Sequence, residues 1–279
     1  MEKNKSVQKI QTFKALHESG CFIIPNPWDI GSAKFLESRG FKALATTSAG
    51  FAFSKGFQDS VSAIPRDIML EHIKEICSST SLPVNADFQN GYAIEPDKVA
   101  ENVKLCVGTG VAGLSIEDAT GDKAAPLYER ELAIERIKAA RSAIDSQDLP
   151  VVLTARCEAW LVGVDNPSKV ALDRLTAYAA AGADCLYAPR VNDLKEIEKI
   201  VKEVTPKPVN ALITDAGRHL TFKQLSEIGV RRISVGATLA RVAWYGFIQA
   251  INEISEKGTF NYFTNSAPFD VLNNLFEKK

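Results

Sequence analysis

The sequence predicts an α/β chain folded as a (β/α)8 barrel, and two patterns predict it. Eight strand-like apolar runs alternate with helical periodicities, and seven of those runs are introduced alternately by a glycine or by a Pro-Val pair. Gly40-Phe41-Lys42-Ala43-Leu44, Gly110-Val111-Ala112-Gly113-Leu114, Gly182-Ala183-Asp184-Cys185-Leu186 and Gly229-Val230-Arg231-Arg232-Ile233 are one kind. Leu82-Pro83-Val84, Leu149-Pro150-Val151 and Lys207-Pro208-Val209 are the other, and Cys21-Phe22-Ile23-Ile24-Pro25 comes before them all. Runs apolar at nearly every position are those of parallel strands covered on both faces. The alternation suits a barrel, whose odd and even strands feed different core layers. An open doubly wound sheet is the second choice. Both folds place a site at the C-terminal ends of the strands.

The helices follow in order. Ile30, Ala33, Phe35 and Leu36 precede Gly40. Pro65 sets a first turn before Ile68, Ile73 and Ile76, and Pro96 does so before Val99, Val103 and Cys106. Ile134, Ile137, Arg141 and Ile144 keep helical spacing. Ser168 is read as the cap of a helix through Leu172, Leu175 and Ala179; Asp193 caps one through Leu194, Ile197, Val201 and Val204. Thr221 and Gln224 make a capping-box pattern ahead of Leu225 and Ile228. Gly40, Gly110, Gly182 and Gly229 fall where a helix C-terminus takes a left-handed residue. No linker or low-complexity stretch interrupts the chain, so residues 1–279 are read as one domain. From Phe260 onward the repeat ends. Tyr262, Phe263, Phe269, Leu272, Leu275 and Phe276 make an aromatic-rich tail, which must bury against its own barrel or a neighbouring subunit.

The chain has 279 residues and a net charge of -1, with no basic stripe, which argues against nucleic acid as a partner. No apolar run approaches the ~20 residues that span a bilayer. The polar start Met1-Glu2-Lys3-Asn4-Lys5 lacks a signal-peptide core. Five cysteines without a Cys-x-x-Cys pair argue against structural zinc and disulfides, and for the cytoplasm.

The strand ends carry the chemistry. They read Asn26-Pro27-Trp28-Asp29, Thr46-Thr47-Ser48-Ala49-Gly50, Asn85-Ala86-Asp87, Glu117-Asp118 and Arg156-Cys157-Glu158, with Asn210 on the seventh strand. One carboxylate alone is more often a helix cap or a lysine's partner. Asp87 and Glu117 on adjacent strand ends, with Asn85 in line, read as ligands of a hard cation such as Mg2+. His17, His72 and His219 are too scattered for zinc. Arg156 suits a substrate carboxylate, or neutralises Glu117 or Glu158. Ser48, Ala49 and Gly50 form a small-residue turn whose N–H groups suit an anionic oxygen. Strand parity puts Cys157 in the core. Trp28 is read as pocket wall or as packing. The long loop 51–64, with Asp59, reads as a lid, and 120–126, with Lys123, as a mobile gate.

Ser48-Ala49-Gly50, Asp59, Asn85-Ala86-Asp87 with Gly91-Tyr92, Ile116-Glu117-Asp118 and Ala155-Arg156 together resemble the isocitrate lyase/phosphoenolpyruvate mutase superfamily, from Pro25 to Gly236. The resemblance implies an α/β barrel that uses Mg2+, with Mn2+ the alternative. It implies chemistry on a C–C or P–C bond next to a 2-oxo carboxylate. It also implies homodimers or homotetramers that swap the eighth helix, with residues 255–279 as oligomer contact. By the resemblance, Ser48 and Gly50 hold the substrate carboxylate and oxo oxygen and Arg156 holds substrate. Asp87 binds the metal, and Asp59 and Glu117 act in its water shell. Asn85 stands where the superfamily has a metal-binding aspartate.

Departures narrow the reaction. Asp122-Lys123-Ala124-Ala125-Pro126 replaces the lyases' cysteine-containing loop, and keeps only the lysine of the mutases' Lys-Thr-Asn. Pro189 stands where a glutamate or histidine is usual, and Asn210 lies two positions before the usual asparagine. The sequence therefore predicts a Mg2+-dependent lyase cleaving a C–C bond of a small 2-oxo or 2-hydroxy carboxylate (oxaloacetate- or isocitrate-like) through an enolate. Lys123 or water would supply the proton. The alternatives are P–C chemistry on phosphonopyruvate or phosphoenolpyruvate, and a barrel that binds a carboxylate without turnover.

Overall fold

The computed structural model describes residues 2–61, 63–215 and 219–277. Ser62 of the expected lid and the last two residues of the expected tail lie outside these. The chain opens with α1 (Glu2–Leu16), β1 (Phe22–Ile24), α2 (Ile30–Ser38), β2 (Leu44–Ala45), α3 (Ser48–Ser54) and α4 (Arg66–Ser79). Next come β3 (Val84–Asp87), α5 (Pro96–Val107), β4 (Gly113–Glu117), α6 (Arg130–Asp145), β5 (Val152–Arg156) and α7 (Ala159–Val162). Then follow α8 (Pro167–Ala180), β6 (Cys185–Tyr187), α9 (Leu194–Val204), β7 (Val209–Leu212), α10 (Phe222–Glu227) and β8 (Arg232–Ser234). The chain ends with α11 (Thr238–Lys257), a 3-10 turn (Asn261–Asn265) and α12 (Phe269–Phe276).

All strand pairs are parallel, and the order runs β1-β8-β7-β6-β5-β4-β3-β2. The two ends of that order meet. Ala45 N–H donates to Pro25 O at 3.0 Å and Asn26 Nδ2 to Thr46 O at 3.0 Å. The sheet is thus a nearly closed (β/α)8 barrel, as the sequence predicts, and not an open sheet. The four predicted glycines carry φ of 80°, 91°, 103° and 90° (Gly40, Gly110, Gly182, Gly229), which a side chain would strain. The prolines work differently. A proline before a strand has no N–H to leave unpaired, and its carbonyl still serves the neighbour: Leu44 N–H donates to Pro83 O and Leu186 N–H to Pro208 O.

The helices predicted from periodicity are present, with the Asp193 cap and the Thr221–Gln224 capping box. Ser168 is not a cap. Its helix starts at Pro167 after Asn166 (φ 52°), and the Ser168 hydroxyl donates to Glu196 instead. The predicted lid is shorter than read, because its first residues belong to α3. α1 closes the N-terminal end of the barrel. Its Ile10 and Phe13 are buried, and Phe13 meets Phe22 and His17 edge-on. On α11 only Ala240 is buried, while Val242, Tyr245 and Phe247 are 63%, 62% and 57% exposed. α12 packs back on α2, with the Phe276 ring over Gly31. Among the described residues no helix is long and apolar enough to cross a membrane.

Candidate active site

Polar groups converge where β3, β4 and β5 end. Thr46 Oγ1 accepts the Asp87 N–H at 2.9 Å, which ties the end of β3 to the residue after β2. Asp87 Oδ2 accepts both the N–H and the hydroxyl of Ser48, at 2.9 and 2.8 Å. Glu117 and Arg156 stand opposite each other in register on β4 and β5. The Arg156 guanidinium fans across three carboxylates. Nη1 reaches Asp87 at 2.7 Å, Nη2 reaches Glu117 at 3.1 Å and Nε reaches Glu158 at 2.9 Å. Its flat face lies 5.0 Å from the Tyr187 ring centre, within cation–π range.

A second layer fixes Glu158. Asp118 Oδ1 accepts the Glu158 N–H at 2.8 Å, while Oδ2 accepts Tyr178 O–H at 2.6 Å and Arg174 Nη1 at 3.1 Å. Arg136 is buried and donates to the carbonyls of Asn90, Ala93 and Ile94, which clamps the loop after β3. In that loop Gln89 takes φ 45° and Tyr92 takes φ 56°, a strained backbone of the kind that gathers at functional sites.

Acids outnumber bases at this rim. Burial, then the charges of Glu158, Asp87 and Asp118, push the Glu117 carboxyl up against the pull of Arg156. Glu158 is pushed up in the same way, by burial and then by Asp118 and Asp87. Burial and the Asp87 charge raise Asp59 too. Burial opposes the Arg156 charge, but Glu158, Glu117 and Asp87 outweigh it and hold the group firmly cationic.

A cavity of about 740 Å³ opens here, within the range of ligand pockets. Ser48, Ala49, Asp59, Asn85, Asp87, Glu117, Lys123, Arg156 and Asn210 all line it. Trp28 and Gly50 stand behind the wall. A Cβ on Gly50 would sit 2.6 Å from Thr47 Cγ2 and 3.1 Å from Trp28 Cβ, so close packing explains this glycine. The Gly50 N–H is engaged by Thr47 Oγ1 at 3.2 Å. Asn85 sits one layer below Asp87 on the same strand face, and its Oδ1 is buried without a partner. The Asn210 amide is engaged at both ends, donating to Ser234 Oγ and accepting from Arg232 Nε. Cys157 is buried, as parity predicts.

Lys123 is exposed at the mouth. The turn that carries it is tied by Thr120 Oγ1 to Ala125 O at 2.6 Å and by an Ala119–Leu127 bridge. It meets the lid segment, because a Cβ on Gly121 would come 3.0 Å from Val61 Cβ. The candidate list from the sequence leaves out Glu158, Tyr187 and Arg232. Glu158 shares the parity of Arg156 two residues before it. Arg232 is one of two arginines at the start of a strand that should be apolar, and parity alone does not say which of them turns inward.

Among the described residues no three His, Cys, Asp or Glu side chains are grouped to hold a metal by themselves. Asp87 and Glu117 nonetheless suit a hydrated Mg2+, which takes one or two carboxylates and completes its shell with waters and substrate oxygens. Burial first, and then neighbouring carboxylates, raise Glu117 and Asp59, and a cation would relieve the part that comes from those neighbours.

Residues 13–255 match the family described as phosphoenolpyruvate phosphomutase. The fold superposes on a Burkholderia cenocepacia protein provisionally called a lyase/mutase. The TM-score is 0.94 and the identity 43%, covering 99% of this chain and 98% of that one. An uncharacterised Mycobacterium tuberculosis protein is 30% identical over 88% of this chain and 89% of its own length. The 2-methylisocitrate lyase of Escherichia coli is 31% identical over 68% of this chain and 64% of that enzyme. By this match and these relatives the chain belongs to the phosphoenolpyruvate mutase family, within the isocitrate lyase/phosphoenolpyruvate mutase superfamily of lyases and mutases.

Proposed function

We propose that the protein is a Mg2+-dependent lyase that cleaves a C–C bond next to the carbonyl or hydroxyl of a small 2-oxo or 2-hydroxy carboxylate. The observation that carries this reading is the Arg156 guanidinium held among Asp87, Glu117 and Glu158 at one end of the barrel. Asp87 and Glu117 would hold the cation, with Asp59 in its water shell. When bound, Mg2+ supplies Lewis-acid stabilisation of charge on a substrate oxygen. The chain's own groups do the rest. Arg156 binds the substrate carboxylate once a carboxylate of the rim releases it. Ser48, now donating twice to Asp87, is placed to turn its N–H and hydroxyl to a substrate oxygen. Glu117, its carboxyl raised by burial and then by its acidic neighbours, would give up its proton to take the cation, so metal binding would strengthen as pH rises. Lys123 at the mouth, or water, returns a proton to the departing enolate.

A panel of 2-oxo and 2-hydroxy acids assayed with and without Mg2+ tests the proposal. Release of pyruvate or glyoxylate that depends on Mg2+ supports it. A panel without any product, and a Mg2+ titration that gives no heat with or without oxalate, supports the non-catalytic barrel instead. P–C chemistry remains the second reading, because the matching family is described as a phosphomutase and Lys123 keeps the mutases' lysine. Phosphorus NMR with phosphonopyruvate decides it: a new resonance favours the second reading, and an unchanged spectrum removes it.

We also propose that the protein works as a homodimer or homotetramer in the cytoplasm. The exposed apolar face of α11 is the support for assembly.

A further inference from the structure

Two buried guanidinium groups line the cavity, and they differ in what they hold. Arg156 faces three carboxylates. Arg232, on β8 and 3% exposed, faces none. Its Nε donates to Asn210 Oδ1 at 2.8 Å and its Nη2 to Thr154 Oγ1 at 3.0 Å, and its Nη1 lies 3.3 Å from His17 Nε2. These partners are neutral. Burial, with the charge of Arg232, lowers the His17 pKa to about 3. Among the described residues no carboxylate comes within ion-pair distance of Arg232. A guanidinium carries five N–H donors, so these three contacts leave two uncommitted. A buried cation without a counter-charge is costly. A strand tie to neutral acceptors does not require a charge, so the tie alone does not explain an arginine here. In the same cavity Asn85 Oδ1 is buried and also lacks a partner.

We propose that Arg232 is an anion subsite at the floor of the cavity and takes the far carboxylate of a small dicarboxylate. This rests on the lyase reading, in which the reacting end of that molecule sits at the Arg156 rim. Thr154, which contacts Arg232, is two residues before Arg156 on β5, about 7 Å along the strand, so the two guanidinium groups serve different levels of one cavity. The cavity of about 740 Å³ has room for a small dicarboxylate. Ser115, Asn210 and Ser234 also line the cavity, with Asn210 held between Arg232 and Ser234. The two uncommitted N–H groups of Arg232 suit a carboxylate, and Asn85 Oδ1 is left to accept a ligand hydroxyl.

Calorimetry in Mg2+ buffer with malate and 2-hydroxybutyrate tests this, since the two acids differ by the far carboxylate. The wild type is expected to prefer malate by about tenfold or more, the value of a charge-assisted hydrogen-bond pair. Arg232→Met is expected to erase the preference and leave 2-hydroxybutyrate binding within about twofold, a split that general loss of structure does not give. Arg232→Gln, which retains hydrogen-bonding groups without the charge, is the second variant should Arg232→Met not fold, with circular dichroism as the check on folding. A preference that survives these substitutions overturns the proposal, as does a wild type that binds both acids equally or neither. Asp87→Ala separates this from the parent reading. If it leaves turnover intact the rim assignment fails, whatever Arg232 does to the preference.

Discussion

Asp87, Glu117 and Arg156 were legible because a charge at the end of an apolar strand needs a reason, and each has one here. Arg156 balances Asp87, Glu117 and Glu158, while burial and then the neighbouring acids raise the Glu117 and Glu158 carboxyls. The raised Glu117 value has a consequence for stability. Its carboxyl ionises less readily in the folded chain than at the ordinary 4.5 of the unfolded chain. Its contribution to stability is therefore full below that value and is lost as pH rises toward the folded one. Glu117→Gln does not titrate, so its Tm should match the wild type near about pH 5 and exceed it increasingly toward about pH 8. A constant Tm difference across that range would contradict the proposed electrostatics. What the sequence could not show is how the donors are already used. Ser48 and Gly50 read as open N–H groups, yet the first serves Asp87 and the second serves Thr47. Such pairings depend on residues far apart in the chain.

At the scale of elements, strand starts and most helices followed from local rules, since left-handed glycines and helical spacing act within a few residues. Five helices were not read from periodicity: α1, α3, α7, α11 and α12. α7 and α3 are too short to show a period. α1 is polar enough that Ile10 and Phe13 do not stand out, although they close the barrel. The importance of α1 is testable. Phe13→Ala removes a fully buried ring between Phe22, His17 and Gly113 and should cost about 3–5 kcal/mol in chemical unfolding. A loss well under about 1 kcal/mol would mean that α1 is not part of the cooperative core. The lid shows the opposite limit. Its length was visible, but not that its first residues continue α3.

At the scale of the molecule, counting eight strands predicts a barrel, and a barrel places the rim at one end. Assembly is a separate matter, because an exposed apolar helix face does not name what covers it. If α11 is the contact, sedimentation should find a dimer or tetramer, and Tyr245→Glu with Phe247→Glu should give a folded monomer. An unchanged oligomer in that variant would move the interface elsewhere. The account as a whole stands on the rim of β3, β4 and β5 as the active site of a carboxylate lyase. Product release from the acid panel in Mg2+, measured side by side for wild type and Asp87→Ala, tests this most directly. The account predicts pyruvate or glyoxylate from the wild type and a loss of about a hundredfold or more in a variant that remains folded. Equal rates from the two proteins would contradict it.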